Sequence, residues 1–322
     1  MTEIPAETLV TVFGGSGFLG RHVVRALARA GYRVRPAVRR PDLAGHLQPL
    51  GRVGQIHAVQ ANLRYPASVE AAVRDDDVVI NLVGVLFERG KQGFEAVQAE
   101  GAANVARASA AAGARLIHVS ALGADPQSPA LYGRTKAAGE VAVLANVPDA
   151  TIFRPSILFG PEDDFFNRFA ALARISPFLP LIGGGETRFQ PVFVGDVAQA
   201  ILGATNGGAK GGRIYELGGP EVKTFKALME YVLAVTERKR LLVPLPFGLA
   251  KLMARFLQLM PTPLLTTDQV ELLRVDNVVS DAAIAEGRTL AALDIAPSAL
   301  ESIVPSYLWR FRKAGQFRGR VA

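Results

Sequence analysis

Val12-Phe13-Gly14-Gly15-Ser16-Gly17-Phe18-Leu19-Gly20 joins a short β-branched run, Leu9–Phe13, to an amphipathic helical pattern that continues to Ala30. Its glycines stand at positions 14, 17 and 20. Gly14 permits the tight turn out of the strand, Gly17 lets backbone come close to a pyrophosphate, and Gly20 lets the helix pack tightly on the strand. A phosphate at this turn would meet the unpaired N–H groups and positive dipole end of the helix, which makes Ser16, Phe18 and Leu19 part of the same candidate site. Alone the pattern is only a tight turn. At a first strand–turn–helix junction it predicts dinucleotide binding.

Outward from this turn, Arg33–Val38, Gln55–Gln60, Val78–Val83, Leu116–Val119 and Thr151–Phe153 read as further strands, with helical patterns between them. Val78-Val79-Ile80-Asn81-Leu82-Val83 is apolar on both faces, as a parallel sheet covered by helices on each side requires. The fold class is therefore α/β, a doubly wound Rossmann sheet. Beyond Phe165 the alternation breaks at Pro177, Pro180 and Gly183-Gly184-Gly185. Residues 1–164 are expected to form the Rossmann domain, and 165–322 a smaller, mostly helical lobe with a basic tail; 191–218 reads as a return to the main sheet.

The second strand ends in Ala37-Val38-Arg39-Arg40-Pro41, where an NAD site would carry an acid for the ribose 2′-hydroxyl. Arg39 and Arg40 instead match a 2′-phosphate in shape and charge, so the expected cofactor is NADPH. Asn62 follows the third strand at the position of an adenine contact, with Leu63 beside it. Val83, Gly84 and Pro155 lie at later strand ends and complete the cofactor set.

The chain of 322 residues carries a net charge of +7 and no cysteine, so it holds neither disulfides nor thiolate metal sites. Its four histidines are scattered, and no metal is expected. The stretch Leu241–Leu265 is interrupted by Lys251, Arg255 and prolines, which argues against a membrane span. No signal or transit peptide is read at the start. The positive balance favours anionic partners without choosing among them.

The turn at Gly14–Gly20, Asn81-Leu82-Val83-Gly84, Tyr132-Gly133-Arg134-Thr135-Lys136, Arg154-Pro155 and Gly160-Pro161 together resemble the extended and atypical short-chain dehydrogenase/reductase family. That resemblance implies that Tyr132 exchanges a proton with a substrate oxygen while Lys136 lowers its pKa and holds the nicotinamide ribose. A Ser or Thr at the end of the fifth strand would orient the substrate. Here His118-Val119-Ser120-Ala121 places Ala121 at that position and Ser120 one residue early, facing the other way. No catalytic residue is therefore assigned, and both Tyr132 and Lys136 can instead hold a permanent nucleotide.

The segment Pro261–Ser280 is similar to the C-terminal stretch of one atypical subfamily, the nucleotide-binding accessory subunits of respiratory complex I, NADH:ubiquinone oxidoreductase. The resemblance implies a non-catalytic NADPH-binding subunit on the peripheral arm near its membrane junction, with other complex I subunits as partners. Such a chain is expected as a peripheral protein on the cytoplasmic face of a bacterial inner membrane, or on the matrix side in a mitochondrion. Phe247–Met260 is apolar except for the stripe Lys251, Arg255 and Gln258. It fits either a lipid interface or a buried place in the small lobe. Arg310–Arg320 is basic and without acids. Two other classes remain: an NADPH-dependent reductase or epimerase, and a nucleotide-sensing regulator. No helix-turn-helix or aromatic-basic surface supports nucleic-acid binding.

Overall fold

In the computed structural model, which describes residues 5–261 and 263–315, the chain divides into two compact units. The first comprises Met1–Pro155, Gly195–Leu217 and Asp281–Ile295. Its strands are β1 (Leu9–Phe13), β2 (Arg33–Val38), β3 (Val59–Gln60), β4 (Val78–Asn81), β5 (Arg115–Val119) and β6 (Thr151–Pro155). A seventh strand, Ile214–Leu217, pairs with β6, giving the order Ile214–Leu217, β6, β5, β4, β1, β2, β3. Every pairing in this sheet is parallel. Strand order reverses at β1 and β4, and such a switch opens a crevice at the carboxyl ends of the strands.

The helices are α1 (Phe18–Arg29), α2 (Pro66–Ala72), α3 (Glu100–Ala112) and α4 (Leu131–Asn146). One side of the sheet contributes Phe13, Val79, Leu116 and Ile152 to a core with Val105 and Ala106 of α3 and Val143 of α4. These side chains recur at strand period two and helix period 3.6, which is why the two layers interlock. Gly113, at φ 67°, ends α3 in the left-handed conformation that glycine adopts without strain.

Three expectations differ from the structure. The third strand is only Val59–Gln60, with Ile56 making an isolated bridge to Val34. The Gln55 amide is turned away to donate to Ala28 O and Tyr32 O, at 2.7 and 2.9 Å, and so interrupts the extended run. Val192–Phe193 pairs with Leu158–Phe159 in the second unit rather than with the main sheet. Asp281–Ile295, expected in the small lobe, belongs to the first unit: Glu216 N donates to Arg288 O (2.8 Å) and Arg288 NH1 to Ile214 O (2.6 Å). The segment thus covers the free edge of the last strand, whose unpaired backbone groups would otherwise be exposed.

The second unit comprises Ser156–Val194, Gly218–Ser280 and Ala296–Ala322. Helices Phe166–Ile175 and Phe225–Val235 enclose a core in which Phe159, Phe166, Phe189 and Phe225 are buried. Asp163 sits within it, accepting from Tyr307 (2.5 Å), Asn167 N (3.0 Å) and Gly160 N (3.2 Å). A parallel strand pair, Phe178–Ile182 with Leu241–Leu245, lies in the same unit. Thr266 and Gln269 form a reciprocal capping box.

Helix Phe247–Leu257 has the reverse of the usual polarity of a surface helix. Its buried residues are the small Ala250 and Ala254, while Leu249, Leu252 and Phe256 are 50%, 52% and 68% exposed. Its basic stripe is partly engaged, Lys251 with Glu271 at 2.7 Å and Gln258 with Thr267 Oγ1 at 3.3 Å. Of the alternatives open in the sequence, burial in the lobe holds in part for Phe247, which packs against the cluster of Ala250 and Ala254, but not for Leu249, Leu252 and Phe256. Among the described residues no helix is long and apolar enough to cross a membrane. Residues 316–320 of the basic tail lie outside the described residues.

Candidate nucleotide-binding site

The glycine turn is held at the carboxyl end of β1. Gly14 has φ 79°, a conformation strained for any residue with a Cβ, and its N–H donates to Ala37 O at 3.1 Å. A Cβ at Gly20 would lie 2.2 Å from Gly14 O, so α1 can start this close to β1 only with glycine there. Gly17 caps α1 and has no side chain to bond the first-turn N–H groups. Those of Phe18 and Leu19 therefore suit an anion, and the cradle fits a diphosphate. When bound, a nicotinamide dinucleotide would supply the hydride-carrying ring.

At the end of β2 the two arginines differ. Arg40 is bidentate to Asp42, Nε to Oδ1 at 3.2 Å and NH2 to Oδ2 at 2.7 Å, and the Asp42 carboxylate raises its pKa. Arg39 is exposed and makes no ion pair among the described residues. Asn62 is half-buried, and its Oδ1 accepts from Arg64 N at 3.2 Å. The Leu63 side chain belongs to the core, packed at Gly101, and its carbonyl accepts from Asn104 at 2.7 Å. Pro155 is likewise buried, its carbonyl accepting from Leu122 N at 3.0 Å.

Tyr132 and Lys136 share one face of α4. Tyr132 meets the Phe94 ring edge-on at 5.9 Å. Lys136 is 4% exposed, and its Nζ donates to Val119 O at 3.2 Å. A Cβ at Gly84 would lie 3.3 Å from that Nζ, so the chain after β4 closes directly on the amine. Burial lowers the Lys136 pKa to about 8, while Glu140 opposes the shift. The helix is fixed to the sheet because Glu140 accepts from Arg154 Nε (2.8 Å) and NH2 (2.6 Å). A further tie is Gly139, where a Cβ would lie 2.3 Å from Gln98 O.

Ser120 N donates to Phe153 O at 2.7 Å, continuing the ladder, and the side chain is only 4% exposed. Its Oγ is buried with no hydrogen-bond partner, so it does not bond Tyr132. Ala121 is half-exposed at the next position, with no hydroxyl to offer.

Residues given no role by the sequence also gather here: Asn81, Gln98 and His118 are 1%, 2% and 2% exposed. The signal available was a polar residue within each of two otherwise apolar runs, Val78-Val79-Ile80-Asn81 and Leu116-Ile117-His118-Val119. That signal tells burial but not purpose.

Residues 10–218 match the model of the NAD dependent epimerase/dehydratase family. The chain belongs to that family. Within it, the chain is 38% identical over 320 residues, covering 95% of itself and 79% of the relative, to "NADH dehydrogenase [ubiquinone] 1 alpha subcomplex subunit 9, mitochondrial" of Arabidopsis thaliana. It is 37% identical over 197 residues, 61% of each chain, to "Ceramide reductase" of Caulobacter vibrioides. Among solved structures, the UDP-glucose 4-epimerase of Thermotoga maritima superposes with a TM-score of 0.69 at 18% identity, over 95% of this chain and 99% of that one. At that identity the likeness is one of fold. The epimerase/dehydratase assignment covers the glycine turn, the Tyr132–Lys136 helix and the last sheet strand together.

Proposed function

We propose that the chain binds NADPH and serves as a non-catalytic accessory subunit of respiratory complex I, stabilising the peripheral arm near the membrane. The observation that carries this reading is the similarity to a complex I subunit along 95% of the chain. The cleft agrees with it. Arg39 is available to a 2′-phosphate, Lys136 and Tyr132 can hold the nicotinamide ribose, and the half-exposed Ala121 has no hydroxyl to orient a substrate oxygen. A ligand that binds only the folded state stabilises it by about 2.7 kcal/mol at a hundredfold excess over its dissociation constant, which is how a non-reacting nucleotide would support assembly.

The exposed apolar side of helix Phe247–Leu257 supports a peripheral position beside the membrane, on the bacterial cytoplasmic face or the mitochondrial matrix side. The second reading, an NADPH-dependent reductase or epimerase, is favoured by the intact Tyr132 and Lys136 and by the Caulobacter relative. The missing hydroxyl places it second.

Purification of complex I from native membranes tests the proposal. The chain should co-purify with bound NADPH, and Arg255→Glu with Phe256→Asp should release it while leaving its nucleotide bound. Absence from the complex, together with steady NADPH consumption on a carbonyl or sugar-nucleotide substrate, would establish the enzyme reading instead.

A further inference from the structure

The second unit gathers cations at the point where the last turn of helix Phe166–Ile175 meets the chain leaving helix Phe225–Val235. Arg240 Nε donates to Ala173 O at 2.8 Å, which places its guanidinium beside Arg174. Arg240 NH1 donates to Lys239 O at 3.1 Å. Arg238 Nε donates to Phe311 O at 2.8 Å, and Arg312 Nε to Val235 O at 2.8 Å. Glu237 lies 3.5 Å from Arg312 and pairs with it. Arg174, Arg238, Lys239 and Arg240 have no ion pair among the described residues.

Capping of helix C-termini explains part of this arrangement, because a cation is stabilised where orphan carbonyls collect. It accounts for the Nε groups of Arg240 and Arg312. It leaves unexplained the exposed Arg174 and the outer N–H edges of Arg238 and Arg240. The three guanidiniums are close enough that Arg240 and Arg174, after burial, hold the Arg238 pKa below its ordinary value. Like charges so placed repel, and the backbone bonds aim them while, among the described residues, no further hydrogen bond takes up their outer donors. Forked N–H donors from more than one arginine match the tetrahedral oxygens of a phosphate.

We propose that Arg174, Arg238 and Arg240 form a binding site for a phosphate group, either soluble or carried on a lipid headgroup. Apolar side chains adjoin the site in sequence and register: Ile175 is 84% exposed, and Leu241, 73% exposed, pairs with Phe178, 50% exposed. An anionic lipid would meet both the charged corner and this apolar margin, whereas free phosphate would use the corner alone. The site is independent of the dinucleotide reading, since none of its residues belongs to the Rossmann unit.

The experiment uses the full chain at physiological salt in two arms. One measures flotation with phosphatidylcholine vesicles containing or lacking phosphatidylglycerol; the other measures inorganic phosphate binding by calorimetry. The expected result is binding in at least one arm, weakened tenfold or more by Arg174→Gln and further by Arg174→Gln with Arg238→Gln. Arg52→Gln, a single charge removed from the other unit, should change it less than twofold. Vesicle binding that requires phosphatidylglycerol assigns the site to a headgroup, and phosphate binding alone assigns it to a soluble ligand. Because Arg174 bonds no backbone group among the described residues, its variant should keep the parent's melting temperature and NADPH affinity. Failure to bind in both arms, or equal weakening by Arg52→Gln, would overturn the proposal.

Discussion

The Asn81 side-chain amide donates to His118 Nδ1 at 3.2 Å, joining neighbouring strands beneath the Tyr132–Lys136 helix. The direction follows from Val83 N, which donates to Asn81 Oδ1 at 3.1 Å and so turns the amide nitrogen toward the ring. With Nδ1 accepting, the imidazole proton stays on Nε2, and the ring is neutral.

The pH dependence of stability should report this neutral ring. Burial, and then the Lys136 charge, push the His118 pKa down to about 3 from an ordinary 6.5. As pH falls, the unfolded chain takes up the proton first, so stability present above pH 6.5 is lost between 6.5 and 3. Asp76, raised to about 6 chiefly by burial, contributes with the opposite sign in part of that window. The test is therefore the difference between His118→Gln and the parent in urea melts from pH 4 to pH 7. The variant's curve should fall less steeply toward acid; parallel curves would show that the ring is charged or solvated.

Nucleotide preference should rest on Arg39 rather than Arg40, because Asp42 already occupies Arg40. Arg39→Glu should weaken NADPH tenfold or more, about 1.4 kcal/mol, while changing NADH much less. Asp42→Ala should tighten NADPH modestly by freeing the second guanidinium. Fluorescence titration with both dinucleotides checks this, and equal affinities in the parent would remove the basis for NADPH.

Tyr132→Phe should loosen the nucleotide and leave respiratory activity nearly unchanged. The phenol can bond a held ribose, but Ala121 supplies no partner for a reacting oxygen. Cofactor dissociation and NADH:ubiquinone turnover are measured on the same preparation. Carbonyl-dependent NADPH oxidation that disappears in Tyr132→Phe would falsify the non-catalytic reading.

Two glycine substitutions should separate close packing from open space. Gly20→Ala puts a methyl 2.2 Å from Gly14 O and must displace backbone, so about 3 kcal/mol of stability and most nucleotide affinity should be lost. Gly45→Ala meets nothing within 4 Å and should be nearly neutral. Thermal melts with and without NADPH decide; a stable, nucleotide-binding Gly20→Ala would mean that α1 can move away from β1 at little cost.

The local chain carried much of this description by itself. Glycine spacing, the apolar strands around Val78–Asn81, the i, i+4 placement of Tyr132 and Lys136, and the Thr266–Gln269 capping box all depend on neighbours within a few residues, where backbone geometry is set. Tertiary structure decided what depends on distant partners. Asp42 claims Arg40, Arg288 closes the edge of the Ile214–Leu217 strand, Asn81 orients His118, and helix Phe247–Leu257 turns its alanines inward and Leu249, Leu252 and Phe256 out. Burial and partner choice are properties of the packed chain: the same apolar helix satisfies the periodicity whichever face is covered, and an arginine beside an acid in sequence becomes an ion pair only when folded geometry holds their charges together.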